Sequence, residues 1–84
     1  MYVVIHHQIQ DPKAFWGILE QDPAPPPGLR NIMFFPSMDN ASAFCVYEAD
    51  SVESLRRFID DGLGASSRNS YYPINAEAAL GLPA

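Results

Sequence analysis

Cysteine is nearly absent: Cys45 is the single one in 84 residues, which excludes an internal disulfide framework and fits a reducing compartment. Basic charge is scarce as well. Lys13, Arg30, Arg56, Arg57 and Arg68 stand against ten acidic residues for a formal net charge of -5, and they form no patch, so phosphate backbones and anionic membrane surfaces are repelled. No run of eighteen apolar residues exists, which leaves no transmembrane helix. The start, Met1 to Ile9, lacks the cationic opening of an export signal and is interrupted by His6, His7 and Gln8. The expectation is a cytoplasmic protein that binds neither nucleic acid nor membrane. There is no phosphate-cradling glycine loop, since Gly62-Leu63-Gly64 follows a helical pattern instead of opening one, and no nucleophile elbow or metalloprotease helix.

What is abundant is apolar material. Hydrophobic residues make up 48% and aromatics 12%, against 18% charged. A single domain of this length, spanning residues 1–84, buries only roughly 60 to 65 per cent of the surface its unfolded chain exposes, so part of that apolar surface needs another cover. Self-association is the direct solution.

Hydrophobic periodicity orders the elements. Tyr2 to Ile9 is β-branched, then alternating, and stops at Asp11-Pro12, where proline can neither donate a ladder bond nor continue a strand. Asp11 is a natural N-cap with Pro12 at the first helical position, and Phe15, Ile18 and Leu19 share one face of a helix running to about Gln21. Asp22 to Gly28 carries four prolines and reads as a stiff extended spacer. Leu29 to Pro36 and Ala41 to Ala49 form a hairpin across Ser37-Met38-Asp39-Asn40. Asp50, with Glu53 three residues on, predicts a capping box for a second helix striped by Val52, Leu55, Phe58, Ile59 and Leu63, with Gly62 and Gly64 as stops. Asn69 to Asn75 reads as a fourth strand, followed by a single capped turn from Asn75 to Leu80.

The order β, α, β, β, α, β predicts an α+β, ferredoxin-like domain: an antiparallel sheet with two helices on one face. A bare second face facing water would be polar at alternate positions. Here Ile32 and Phe34 take one parity and Met33 and Phe35 the other, while Phe44 and Val46 oppose Cys45 and Tyr47. Both faces are apolar, and a second copy of the sheet is the expected cover, giving a dimeric αβ barrel.

Alternation also sorts the candidate functional residues. Val3, Ile5, His7 and Ile9 form the more apolar set of the first strand and should pack on the helices, leaving Val4, His6 and Gln8 toward the partner sheet. Either histidine is a candidate general base or metal ligand, the bland alternative being a satisfied interface histidine. In this topology the third strand lies beside the first and brings Cys45, Tyr47 and Glu48 near them; imidazole, thiolate and carboxylate suit nickel, zinc or copper. Cys45 as a small buried hydrophobe and Glu48 as a solvated strand-end carboxylate are the competing readings. Trp16 leaves the clean stripe of its helix and Tyr71 and Tyr72 are consecutive, so aromatic stacking on a flat ligand competes with a core or dimer role.

The stretches His7 to Pro12 with Phe15-Trp16, Cys45 to Glu53, Asn69 to Tyr72 and Asn75 to Pro83 resemble a family of small nickel-binding or functionally uncharacterised proteins within the dimeric αβ-barrel superfamily. The resemblance implies a homodimer whose cavity lies between sheet and helices, a transition metal such as nickel as candidate cofactor, and His7, Cys45, Glu48 and Tyr71 as pocket residues. The wider superfamily is similar to cofactor-independent monooxygenases, muconolactone-isomerase-like enzymes and stress-responsive barrel proteins. Three expectations follow: a homodimer binding a metal ion (His7, Cys45, Glu48) or a small molecule (His6, His7, Trp16, Tyr47, Tyr71); a small enzyme using a histidine base; or a dimerisation module.

Overall fold

A computed structural model describes residues 1–21 and 24–83. The elements run β1 (Tyr2–Ile9), α1 (Pro12–Glu20), β2 (Leu29–Pro36), β3 (Ser42–Ala49), α2 (Val52–Leu63), a short 3-10 turn (Gly64–Ser66) and β4 (Ser67–Pro73). The four strands form one antiparallel sheet in the order β2-β3-β1-β4, an α+β, ferredoxin-like layout. No helix among the described residues is long and apolar enough to cross a membrane.

Burial along β1 alternates, with Val3, Ile5, His7 and Ile9 buried and Val4 and His6 only half-buried between them. β3 repeats the pattern with Ala43, Cys45, Tyr47 and Ala49. These inward residues meet Phe15 of α1 and Leu55, Ile59 and Leu63 of α2 in one core, so both helices cover the same face. Each of the larger side chains enclosed there contributes roughly 1.5–3 kcal/mol relative to exposure.

Local signals set most boundaries. Asp11 is extended, and its Oδ1 accepts from Ala14 N at 3.1 Å, with Pro12 in the first turn of α1. The backbone N–H groups of Gln10 and Asp11 both donate to Ser66 O, at 2.8 and 3.0 Å, which ties the start of α1 to the turn before β4. The expected proline spacer begins on Asp22 and Pro23, outside the described residues; Ala24 to Pro26 has no regular structure, and Pro27-Gly28 turns into β2. After β4, Asn75 caps a single turn, its Oδ1 accepting from Glu77 N and its carbonyl from Ala78 N.

Four expectations are corrected. The cap of α2 is Ser51, whose Oγ accepts from Ser54 N at 3.1 Å. Asp50 is drawn elsewhere: its N–H donates to Gly28 O, and its carboxylate accepts from Ser54 Oγ at 2.5 Å. Gly62 lies inside α2, and Gly64, with φ of 56°, ends it. β4 starts two residues early, at Ser67, because the 3-10 turn hands the chain directly to the edge of β1. Finally, a bulge at Ile32 interrupts the β2–β3 ladder, Asn31 opposing Tyr47 and Met33 opposing Val46. The extra residue resets the alternation, so that Asn31 and Phe34 both reach the helix side.

Candidate functional site

Between the sheet and the two helices lies a cavity of about 380 Å³, within the size range of small-molecule sites. The sheet supplies His7, Asn31, Phe34, Cys45 and Tyr47; α1 supplies Phe15, Trp16, Ile18 and Leu19; α2 supplies Phe58, Ile59, Gly62 and Leu63. The wall is mostly apolar and aromatic. Trp16 stands edge-on to Phe15 and Phe34, at 5.2 and 6.0 Å between ring centroids, and both phenyl rings tilt against His7.

His7 is the chemically distinctive group in this wall. It is only 2% exposed. In the ladders it opposes Ala43 on β3 and Asn69 on β4, and its ring bonds in both directions: Nδ1 is 2.7 Å from Asn69 Oδ1 and Nε2 is 3.1 Å from Cys45 Sγ. The proton positions follow from the far end of the chain of contacts. An Asp carboxylate only accepts, so Asn69 must present its Nδ2 to Asp60 Oδ1, 3.0 Å away. Its Oδ1 then faces His7 and also takes the Ser67 hydroxyl at 2.8 Å. His7 therefore carries its proton on Nδ1, and its Nε2 lone pair accepts from the Cys45 thiol.

Burial keeps this pair neutral. Desolvation lowers the pKa of His7, with the Asn69 hydrogen bond acting in the opposite direction. Desolvation also pushes the Cys45 thiol up to about 12. The resting arrangement is a thiol hydrogen-bonded to an imidazole of fixed tautomer, held by Asn69 and behind it Asp60. Tyr71 joins the outer end. Its hydroxyl donates to Asp60 Oδ1 at 2.6 Å, the Arg56 guanidinium lies 5.0 Å over its ring, and burial and the Asp60 bond raise its pKa.

Of the residues singled out from sequence, His7, Cys45, Trp16 and Tyr47 come together around the cavity. Tyr71 is on the same side of the sheet but contributes through Asp60, outside the lining. His6 and Glu48 are on the opposite face: His6 stacks on Phe44 at 4.7 Å between centroids and bonds Ser42, and Glu48 pairs with Arg30 at 2.9 Å. The expected ligand set of His7, Cys45 and Glu48 is thus divided by the sheet. Among the described residues no group of three or more His, Cys, Asp or Glu side chains is arranged to hold a metal ion. His7 and Cys45 fall short of the three or four protein ligands usual for zinc, and the sulfur is held as thiol.

Sequence reasoning missed Asn69, Asp60 and Asn31. A signal for Asn69 existed, because asparagine is depleted in strands and the topology places β4 directly beside β1. Compared with family models, curated proteins and solved structures, the chain matches none of them.

Proposed function

We propose that the chain is a homodimeric small-ligand-binding protein of the dimeric αβ-barrel kind, its cavity taking a small, flat, largely apolar molecule with one hydrogen-bonding group. The observation that carries this reading is the 380 Å³ cavity, whose apolar and aromatic wall is broken by His7, Asn31 and Tyr47. Such a wall supplies affinity by burial, while few polar groups fix orientation. The donor count favours an organic molecule over the metal form of the same idea.

Dimerisation is supported by the face that the helices leave uncovered. Phe35 and Tyr72 are each 57% exposed and Phe44 44%, and half-buried Val4, Met33 and Val46 lie on the same side. Joined apolar surface of this kind marks an interaction site, and the same sheet in a second copy matches it in shape and character.

The test has two arms. A ligand-observed NMR screen of small aromatic fragments should give hits that Gly62→Leu weakens, because Gly62 lines the cavity and, beyond its chain neighbours and its own helix backbone, nothing lies within 4 Å of where its Cβ would stand. Absence of hits, or hits indifferent to Gly62→Leu, would overturn the cavity reading. In sedimentation velocity the wild type should run as a dimer and Phe44→Lys as a monomer; a monomeric wild type would overturn the dimer.

A further inference from the structure

The cavity contains more than a binding surface requires. Cys45 Sγ and His7 Nε2 are 3.1 Å apart, His7 Nδ1 is oriented by Asn69 Oδ1 at 2.7 Å, and both Cys45 and His7 line the space a ligand would enter. A nucleophile, a base within hydrogen-bond reach and a third group that fixes the base are the arrangement by which side chains activate sulfur or oxygen for covalent chemistry. A cysteine that only fills space needs no base on a fixed tautomer.

We propose that Cys45 and His7 act as a nucleophile and base pair that captures a small apolar aldehyde, aromatic ones above all, as a reversible hemithioacetal in this cavity. The proposal rests on the reading of the cavity as a ligand site. As the Sγ–C bond forms, the π bond of the carbonyl opens, the thiol proton passes to His7 Nε2, and His7 returns it to the alkoxide oxygen. The product is neutral, nothing leaves, and no water, oxidant or second reactant takes part. That balance is why an aldehyde fits better than an ester or thioester. Burial here favours the uncharged form of both His7 and Cys45. Acyl transfer must hold its oxyanion unprotonated until it collapses and expels a leaving group, which needs aimed donors, whereas the alkoxide of aldehyde addition takes the proton straight back from His7 and the adduct is neutral. The aromatic wall of Phe15, Trp16 and Phe34 selects a flat apolar carbonyl compound and rejects ionised ones. Asn69 is a positioning residue: it holds the Nδ1–H tautomer that leaves Nε2 free to take the thiol proton.

The experiment uses the full chain and benzaldehyde labelled with carbon-13 at its carbonyl. In the wild type the labelled carbon should move, saturably, from the carbonyl region to that of a tetrahedral carbon bearing oxygen and sulfur. In Cys45→Ala that signal should vanish while saturation-transfer NMR still detects the bound aldehyde; Cys45→Val, which leaves no void, serves if alanine loosens the core by circular dichroism. Asn69→Ala should slow addition by roughly tenfold or more, part of the 10²–10⁴ typical of positioned bases, with non-covalent affinity unchanged. Bound aldehyde with no tetrahedral signal in the wild type, or a signal that survives loss of Cys45, would overturn the proposal and leave the cavity reading standing. No bound aldehyde by saturation transfer would also overturn the proposal, while the cavity reading stands or falls on the fragment screen and its Gly62→Leu control.

Discussion

Replacing Cys45 by Ser should flatten the alkaline limb of the stability curve. The serine hydroxyl is nearly isosteric, can still donate to His7 Nε2, and does not titrate in this range. In the unfolded wild type the thiol ionises near its ordinary 9.0, whereas in the fold it resists until about 12. Above pH 9 the unfolded state therefore binds fewer protons than the folded one, and unfolding free energy falls as pH rises. Two pH units of this mismatch, from 9 to 11, amount to roughly 2–3 kcal/mol at about 1.4 kcal/mol per unit, a substantial share of the 5–15 kcal/mol typical of a small domain. Tyr71 adds a loss of the same sign, since burial and Asp60 also raise its pKa, with the Cys45 charge the smallest contribution, so nearly all of that loss is common to both proteins and cancels. Urea unfolding followed by far-UV circular dichroism at pH 8 and pH 11, at fixed protein concentration, gives the difference directly. If the wild type and Cys45→Ser lose equal stability, Cys45 ionises in the fold as freely as in the open chain, and the neutral thiol–imidazole pair is refuted.

His7 supplies the acid counterpart: desolvation lowers its pKa from 6.5, so the unfolded chain takes up a proton first as pH falls and stability drops below about pH 6.5. His7→Gln should flatten that limb in urea titrations at pH 7.5 and 5.5; an unchanged slope would contradict the burial of a neutral ring. Ser51→Ala should lower stability by about 1 kcal/mol through loss of the α2 cap, and Asp50→Ala by less; the reverse ranking in thermal unfolding would return the cap to Asp50. Gly28 has φ of 94°, and a Cβ there would lie 2.7 Å from Asp50 Oδ2, so Gly28→Ala should destabilise by about 1 kcal/mol or more. Gly17→Ala, with open space around it in α1, should stabilise by roughly 0.5–1 kcal/mol; equal effects at the two glycines would show that backbone conformation is not what separates them.

Much of the fold was legible because single residues carried unambiguous physics. The Val3, Ile5, His7, Ile9 set placed His7 inward by alternation alone, and Asp11 with Pro12 located the start of α1. The same alternation separates Glu48 from Cys45, three positions away, and the divided ligand set follows from that rule. Other features were decided by tertiary contacts. Asp50 and Ser51 are both good caps, and the choice turns on the bond from Asp50 N to Gly28 O, a residue 22 positions earlier. The Ile32 bulge left no mark in a stretch apolar on both parities, yet it brings Phe34 to the cavity. Asp60 is exposed on α2 and had no visible reason to matter until Asn69 was seen beside it.

The position of β1 explains why the relay forms where it does. β1 is paired on both edges, with β3 on one side and β4 on the other, so a residue on its inner face has neighbours from two strands at once. His7 uses both: Cys45 comes from β3 and Asn69 from β4. Because His6 and His7 are adjacent, a register slip of one residue would exchange them and turn Val3, Ile5 and Ile9 out of the core. Losing that burial costs several kcal/mol, more than the roughly 0.5–1.5 kcal/mol net of any one hydrogen bond in the relay. The identity of the histidine in the cavity is therefore enforced by the apolar residues beside it, and the polar contacts are left to set its tautomer.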